Sequence, residues 1–200
     1  MRRTLSSSLR LLGLVLCGLV LSGCSQEPED FYGPILVRDG ITYDQNTNEL
    51  VTGIIEEFHD NGQLGLRTTY RDGEMDGPYE YFHTNGQLLW RVNYKDGERD
   101  GLSERFYDNG QLRDRENYKD GKQDGLEERF WENGQLRERK NYKDGKQDGL
   151  NEGFYENGQL MGRITFIDGK QDGLNEYFYE NGQLRWRTNF KDGKEDGLFE

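Results

Sequence analysis

Residues 125–148 read GLEERFWENGQLRERKNYKDGKQD, and most of the chain is variation on these 24 residues. The stretch returns, altered but aligned, at Gly53, Gly77, Gly101, Gly149 and Gly173, with no insertion between copies. Asn-Gly recurs at one place in every copy, so that Gly62, Gly86, Gly110, Gly134, Gly158 and Gly182 mark the turns. Asp-Gly recurs from Asp72-Gly73 to Asp192-Gly193, and again four residues later. A fixed period of this size is the signature of a repeat array, in which each unit covers its neighbour.

Each copy holds about five strand-like residues, the Asn-Gly turn, about eight more strand-like residues, and a loop of the form Lys-Asp-Gly-Lys-x-Asp-Gly. Asn-Gly between alternating residues is a strong hairpin signal, because both residues tolerate positive φ. The Asp-Gly loops turn the chain again before the next copy. The expected fold is all-β: an elongated, single-layer, twisted antiparallel meander of tandem hairpins. Roughly a dozen strands at about 4.8 Å each span about 55–60 Å. A β-solenoid with one coil per copy is the alternative.

Two registers are open across each Asn-Gly turn. A three-residue loop, Asp108-Asn109-Gly110 in the third copy, puts Leu112 and Tyr118 on the face of Leu102 and Phe106. That gathers Leu66, Trp90, Trp186, Val92 and Ile164 into one apolar face as well. A two-residue loop sets Glu104 opposite Arg115 instead. A slip of one residue exchanges every side chain's face, so the two exclude each other. The first is favoured, because one coherent apolar face buries more.

Two positions never vary among the six copies. One holds Glu56, Glu80, Glu104, Glu128, Glu152 and Glu176; the other holds Arg67, Arg91, Arg115, Arg139, Arg163 and Arg187. A ligand-facing ladder of charge is one reading. Cross-strand pairs that fix register, each contributing roughly 0.2–1 kcal/mol, are the better one.

The chain has 200 residues, 32% of them hydrophobic, with a formal net charge of -12. Low hydrophobicity with high charge favours disorder. Here 3 Trp, 12 Tyr and 10 Phe fall largely at regular places, as strands prefer. The negative field disfavours nucleic acid as a partner. His59 and His83 share one repeat position with Tyr107, Trp131, Tyr155 and Tyr179. They stand two strands apart, about 9–10 Å, too far for one metal ion. Asp120, Lys122 and Asp124 make a poor calcium loop, because lysine takes a ligand position. No Ser-His-Asp set is present. The expectation is a protein that is not an enzyme and has no catalytic residue, metal or cofactor.

Residues 1–23 have the parts of a secretory signal: Arg2, Arg3 and Arg10, an apolar run from Leu11 to Leu21, then small residues. Leu21-Ser22-Gly23-Cys24 resembles the lipobox of bacterial lipoproteins. That resemblance implies a diacylglycerol on Cys24, cleavage before it, and acylation of the new amine. Ser25 after the cysteine, by the same likeness, implies the outer membrane of a Gram-negative cell envelope. Residues 24–33 read as a lipidated tether. Residues 34–52 read as an irregular opening β unit, with two short strands about Asp39-Gly40. Residues 53–200 hold the six copies and the start of a seventh.

The pattern G-L-x-E-x-F-Y-E-N-G-Q-L-x-x-R-x-N-Y-K-D-G-K-x-D resembles the MORN-variant repeat. Such repeats form elongated sheets of successive hairpins and are generally non-catalytic interaction or scaffolding modules. Some bacterial members are similar to YwqK-type antitoxins, which counter a partner toxin. With the lipobox-like Cys24 and the negative charge, the expectation is a lipid-anchored module of the envelope with a protein partner, not nucleic acid. An immunity protein against a toxin, or a structural protein assembling through its sheet edges, are the other roles considered.

Overall fold

The structure is a computed structural model that describes residues 30, 31 and 33–197. Within these every regular element is a β-strand. One long sheet runs through the six copies as an unclosed antiparallel meander. In the third copy, Glu98–Phe106 pairs with Leu112–Lys119, which pairs in turn with Gly125–Phe130 of the fourth. The same step repeats to the last hairpin, Gly173–Phe178 with Leu184–Lys191. The solenoid alternative is thereby set aside: consecutive strands lie beside each other in one sheet.

The opening unit forms as read, with Ile35–Arg38 antiparallel to Ile41–Asp44. It is tied to the array by main-chain bonds from Thr42 N to Gly73 O and from Gly73 N to Val51 O, both 2.8 Å. Gly73 has φ +84°, and a Cβ there would stand 2.6 Å from Ile41 Cγ2 and 2.9 Å from Thr42 O, so only glycine fits. Asp30–Phe31 adds a short parallel strand to Ile54–Ile55. The sheet thus begins within the stretch read as tether.

The hairpin register combines both alternatives, and the favoured one is corrected. At the tip, Tyr107 N bonds Gln111 O and Gly110 N bonds Tyr107 O, both 2.8 Å, which closes the three-residue loop. Asn109 takes no positive φ; only Gly110 does, at 81°. The Asn109 side chain instead accepts from Gln111 N at 2.9 Å. Phe106 then lies opposite Leu112, but Arg105 lies opposite Asp114. Arg113 is the extra residue of a β-bulge. From there on Glu104 stands opposite Arg115, and Tyr118 opposite Gly101. Every hairpin shifts at the same place, so each copy carries one bulged residue.

The bulge splits the expected apolar face in two. Leu102, Phe106 and Leu112 stay with Glu104 and Arg115 on one face. Tyr118, Trp90, Trp186, Val92, Leu66 and Ile164 go to the other. The first face therefore leaves leucines open: Leu126, Leu150 and Leu174 are 37–43% exposed. The Asp-Gly loops are two-residue turns with both residues at positive φ, as at Asp120 (46°) and Gly121 (74°). Val92, at 1% exposure, is one of three buried apolar residues among the described ones. The fold rests on a continuous hydrogen-bonded ladder more than on a core.

Candidate functional site

Charge occupies two columns that never vary, side by side on one face. From Arg67 to Arg163 each Arg stands opposite a Glu of its own hairpin and a Glu of the next, as Arg115 faces Glu104 and Glu128, and Arg187 stands opposite Glu176. The guanidinium mostly reaches forward. Arg91 Nε donates to Glu104 at 2.6 Å, Arg115 to Glu128 at 2.7 Å, and Arg139 to Glu152 at 2.5 Å. Arg67 bonds Glu56 at 2.9 Å and also approaches Glu80 at 3.5 Å. Near the far end Glu176 is held by both Arg163 and Arg187. Its burial pushes its carboxyl up, but the two guanidiniums outweigh this and hold it below the ordinary value. These carboxylates are consumed in stitching copy to copy.

The tip column does a similar job. Tyr107 Oη donates to Phe130 O at 2.7 Å and Tyr155 Oη to Phe178 O at 2.8 Å; His59 Nε2 lies 2.9 Å from Phe82 O. His83 departs from this: its Nε2 is buried with no hydrogen bond, 3.3 Å from the Asp108 carboxylate. The loop aspartates also have structural work. Asp124 Oδ2 accepts from Asp144 N at 3.1 Å, and Asp148 Oδ2 from Asp168 N at 3.1 Å. Among the described residues, no group of three or more His, Cys, Asp or Glu could hold a metal ion. Cys24, with residues 1–23 and most of the stretch read as tether, lies outside the described residues, as do residues 198–200 of the seventh copy.

The other face carries the differences between copies. Four inward strand positions vary, and register puts all four on it. Opposed pairs there run Ile55–Thr68, Tyr79–Val92, Ser103–Glu116, Glu127–Lys140, Asn151–Ile164 and Asn175–Thr188. Beside them run Glu57–Leu66, Tyr81–Trp90, Arg105–Asp114, Arg129–Glu138, Gly153–Gly162 and Tyr177–Trp186. The second copy is rich in rings: Tyr79 packs on Trp90 at 5.2 Å and on Tyr94 at 6.2 Å between centroids. Arg99 bridges to the next copy, its guanidinium 5.6 Å from the Trp90 ring and 5.2 Å from that of Tyr118. Burial, and then Glu116, which accepts from Tyr118 Oη at 2.7 Å, raises the Tyr118 phenol above its ordinary value.

Copies three and four hold a cleft lined by Arg105, Arg113, Arg129 and Arg137 with Tyr107, Phe130, Asp114 and Glu116. Arg113 Nε donates to Asp114 at 2.9 Å, and Arg105 comes within 3.7 Å of the same carboxylate. Arg129 Nε lies 2.7 Å from Glu127, a side chain only 3% exposed. Arg137 lies over the Trp131 ring at 4.6 Å. Sequence reasoning missed this cleft. Its signal was present, because arginine fills both the Arg105 and Arg113 positions only in these two copies. Without the bulge, nothing says that those positions meet.

Comparison with known proteins gives one family. The sequence model described as "MORN repeat variant" matches residues 75–96, 99–120, 123–144, 147–168 and 171–192, more than half of the chain. No curated protein matches. Among solved structures, a crystal structure of TarM shares 17% identity over 48% of this chain and 19% of that one, at TM-score 0.32. A mutant S. aureus TarM in complex with Fondaparinux, alpha-GlcNAc-glycerol and UDP shares 16% over 60% and 21%, also at 0.32. Accessory secretory protein 1, 2 and 3 of Streptococcus pneumoniae shares 16% over 74% and 22%, at 0.18. The chain spans about a fifth of each of these proteins. Likenesses this slight carry no argument about function.

Proposed function

This chain belongs to the MORN repeat variant family, and from that premise we propose that it is a non-catalytic module binding a protein partner through the face on which its copies differ. The finer reading adds an anchor: a lipid on Cys24 holds the array at a bacterial envelope membrane, with the outer membrane as the expected site. The observation that carries the reading is the segregation of the copies' differences. The unvarying Glu and Arg columns serve the sheet's own cohesion, while the four varying inward positions share the opposite face. That face is rich in Tyr, Trp and Arg, the residues that dominate the energetic centres of protein interfaces. Envelope context rests on the leader and the Leu21-Ser22-Gly23-Cys24 stretch.

Site-specific photo-crosslinking in native membranes tests both parts. Crosslinkers replacing Trp90 or Tyr177 are expected to capture a discrete protein, and crosslinkers replacing Leu126 or Leu174 on the other face are not. Equal capture from both faces, or from neither, sinks the reading. Cys24→Ala is expected to move the protein from the membrane to the soluble fraction; unchanged membrane retention removes the anchor but leaves the binding face standing.

A further inference from the structure

The cleft of copies three and four narrows the chemistry of the partner. Four guanidiniums converge there, on a chain whose formal net charge is -12. They come from two positions of adjacent hairpins, and in the other copies those positions pair Glu57 with Gly65, Tyr81 with Leu89, Gly153 with Met161 and Tyr177 with Arg185. Asp114, Glu116, Glu127 and Glu138 lie among or beside them, but the pairing is uneven. Arg105 and Arg113 divide one carboxylate, that of Asp114. Glu116 lies in the cleft too and keeps its charge, but it accepts from the Tyr118 hydroxyl and makes no ion pair with a described arginine. Arg129 is matched, by Glu127 at 2.7 Å and Glu138 at 3.5 Å. Arg137 makes no ion pair with any described carboxylate; its guanidinium lies on Trp131. A guanidinium fixed by stacking keeps its N–H edges free and pre-oriented, which suits a planar carboxylate held by two parallel bonds.

We propose that this cleft receives an acidic segment of the partner polypeptide, with a carboxylate seated between Arg113 and Arg137. This rests on the binding reading above and adds the partner's charge to it. The two arginines occupy the bulge positions of neighbouring hairpins, where the extra residue re-aims its side chain. The ring-rich patch of Tyr79, Trp90 and Tyr94 lies on the same face one copy away, so a segment with apolar residues preceding or following its carboxylates covers both. The occupant is a polypeptide because the cleft is continuous with that aromatic surface, which offers contact area a small anion has no use for.

Fluorescence anisotropy of a labelled hexaglutamate peptide, titrated with the full chain in detergent, tests this. Saturable binding is expected, weakened at least tenfold in the Arg113→Gln/Arg137→Gln pair. The Lys95→Gln/Lys119→Gln pair removes the same charge from exposed strand ends and is expected to leave binding unchanged. Thermal melts should overlay the parent for the lysine pair and fall by only a few degrees for the arginine pair, which gives up the Arg113 bond to the buried Asp114 but stays folded at the assay temperature. Absence of saturable binding, equal weakening by both pairs, or displacement of the peptide by millimolar inorganic phosphate overturns the proposal. Crosslinking through Trp90 that persists in Arg113→Gln/Arg137→Gln would then show that only the acidic chemistry was wrong. Loss of crosslinking from the parent chain itself removes the binding reading beneath it.

Discussion

Replacing Glu176 by glutamine removes one negative charge and keeps the shape. The side chain is 2% exposed and accepts from Arg187 Nε at 2.9 Å and Arg187 Nη2 at 2.6 Å, with Arg163 on its other oxygen. A hydrogen bond to a charged group contributes about 1.5–3 kcal/mol. Glutamine still accepts at one oxygen but turns an amide N–H2 towards the other guanidinium. Arg163 and Arg187 are 45% and 39% exposed, so water replaces part of what they lose. The expected net cost is about 2 kcal/mol, below the roughly 3–5 kcal/mol that breaking a fully buried pair costs. Glu128→Gln, at a carboxylate 15% exposed and bonded by Arg115, is expected to cost about half that. The pH dependence follows from the lowered carboxyl of Glu176. Its contribution is present above the unfolded value, near 4.3, and is lost as pH falls through the depressed folded value. The cost of Glu176→Gln should therefore be full at pH 7 and shrink below about pH 4.3, because the parent's own Glu176 is then protonating. Urea midpoints of parent and variant at pH 7, 5 and 3.5, with unchanged slopes, measure it. A cost that is the same at pH 3.5 as at pH 7 would refute the role given to the charge.

Gly73→Ala puts a Cβ against Ile41 and Thr42 O at a φ of +84° and should cost roughly 1–3 kcal/mol, loosening the opening hairpin. Hydrogen exchange should then quicken at the Thr42 amide, which bonds Gly73 O, while amides of the last two hairpins keep their protection; slowed or unchanged exchange at Thr42 contradicts this. Tyr118 should ionise above free tyrosine, chiefly through burial and then through Glu116. Its raised phenol contributes stability that is present below the ordinary value of about 10 and lost as pH rises through the folded one. Glu116→Gln should lower the Tyr118 midpoint towards that of free tyrosine without reaching it, as followed by NMR titration; a Tyr118 that titrates at or below the free value removes the argument.

Much of the fold could be read from single residues. The 24-residue period, the turn glycines such as Gly110 and the two strands of the opening unit all come from local chemistry, because φ preference and alternation act over a few residues. The register could not be read that way. Choosing the larger apolar face put Tyr118 with Leu102, yet the sheet sets Tyr118 against Gly101 and Glu104 against Arg115. Twelve charged side chains form a ladder only when every hairpin shifts by one, and that gain is shared between hairpins. A rule applied to one copy does not see it.

The same division holds for the candidate site. The sequence by itself determined an array of like hairpins and the columns that never vary, since these follow from periodicity and residue type. Only the tertiary structure decided which varying residues stand together. One bulge residue per copy, Arg113 or Arg137 among them, flips the outgoing strand relative to the incoming one, and so brings Arg105 and Asp114 side by side with Trp90 on a single face. Side-chain direction in a strand has a period of two, so a displacement of one residue exchanges faces completely, and the sequence around a turn does not state which way that displacement falls.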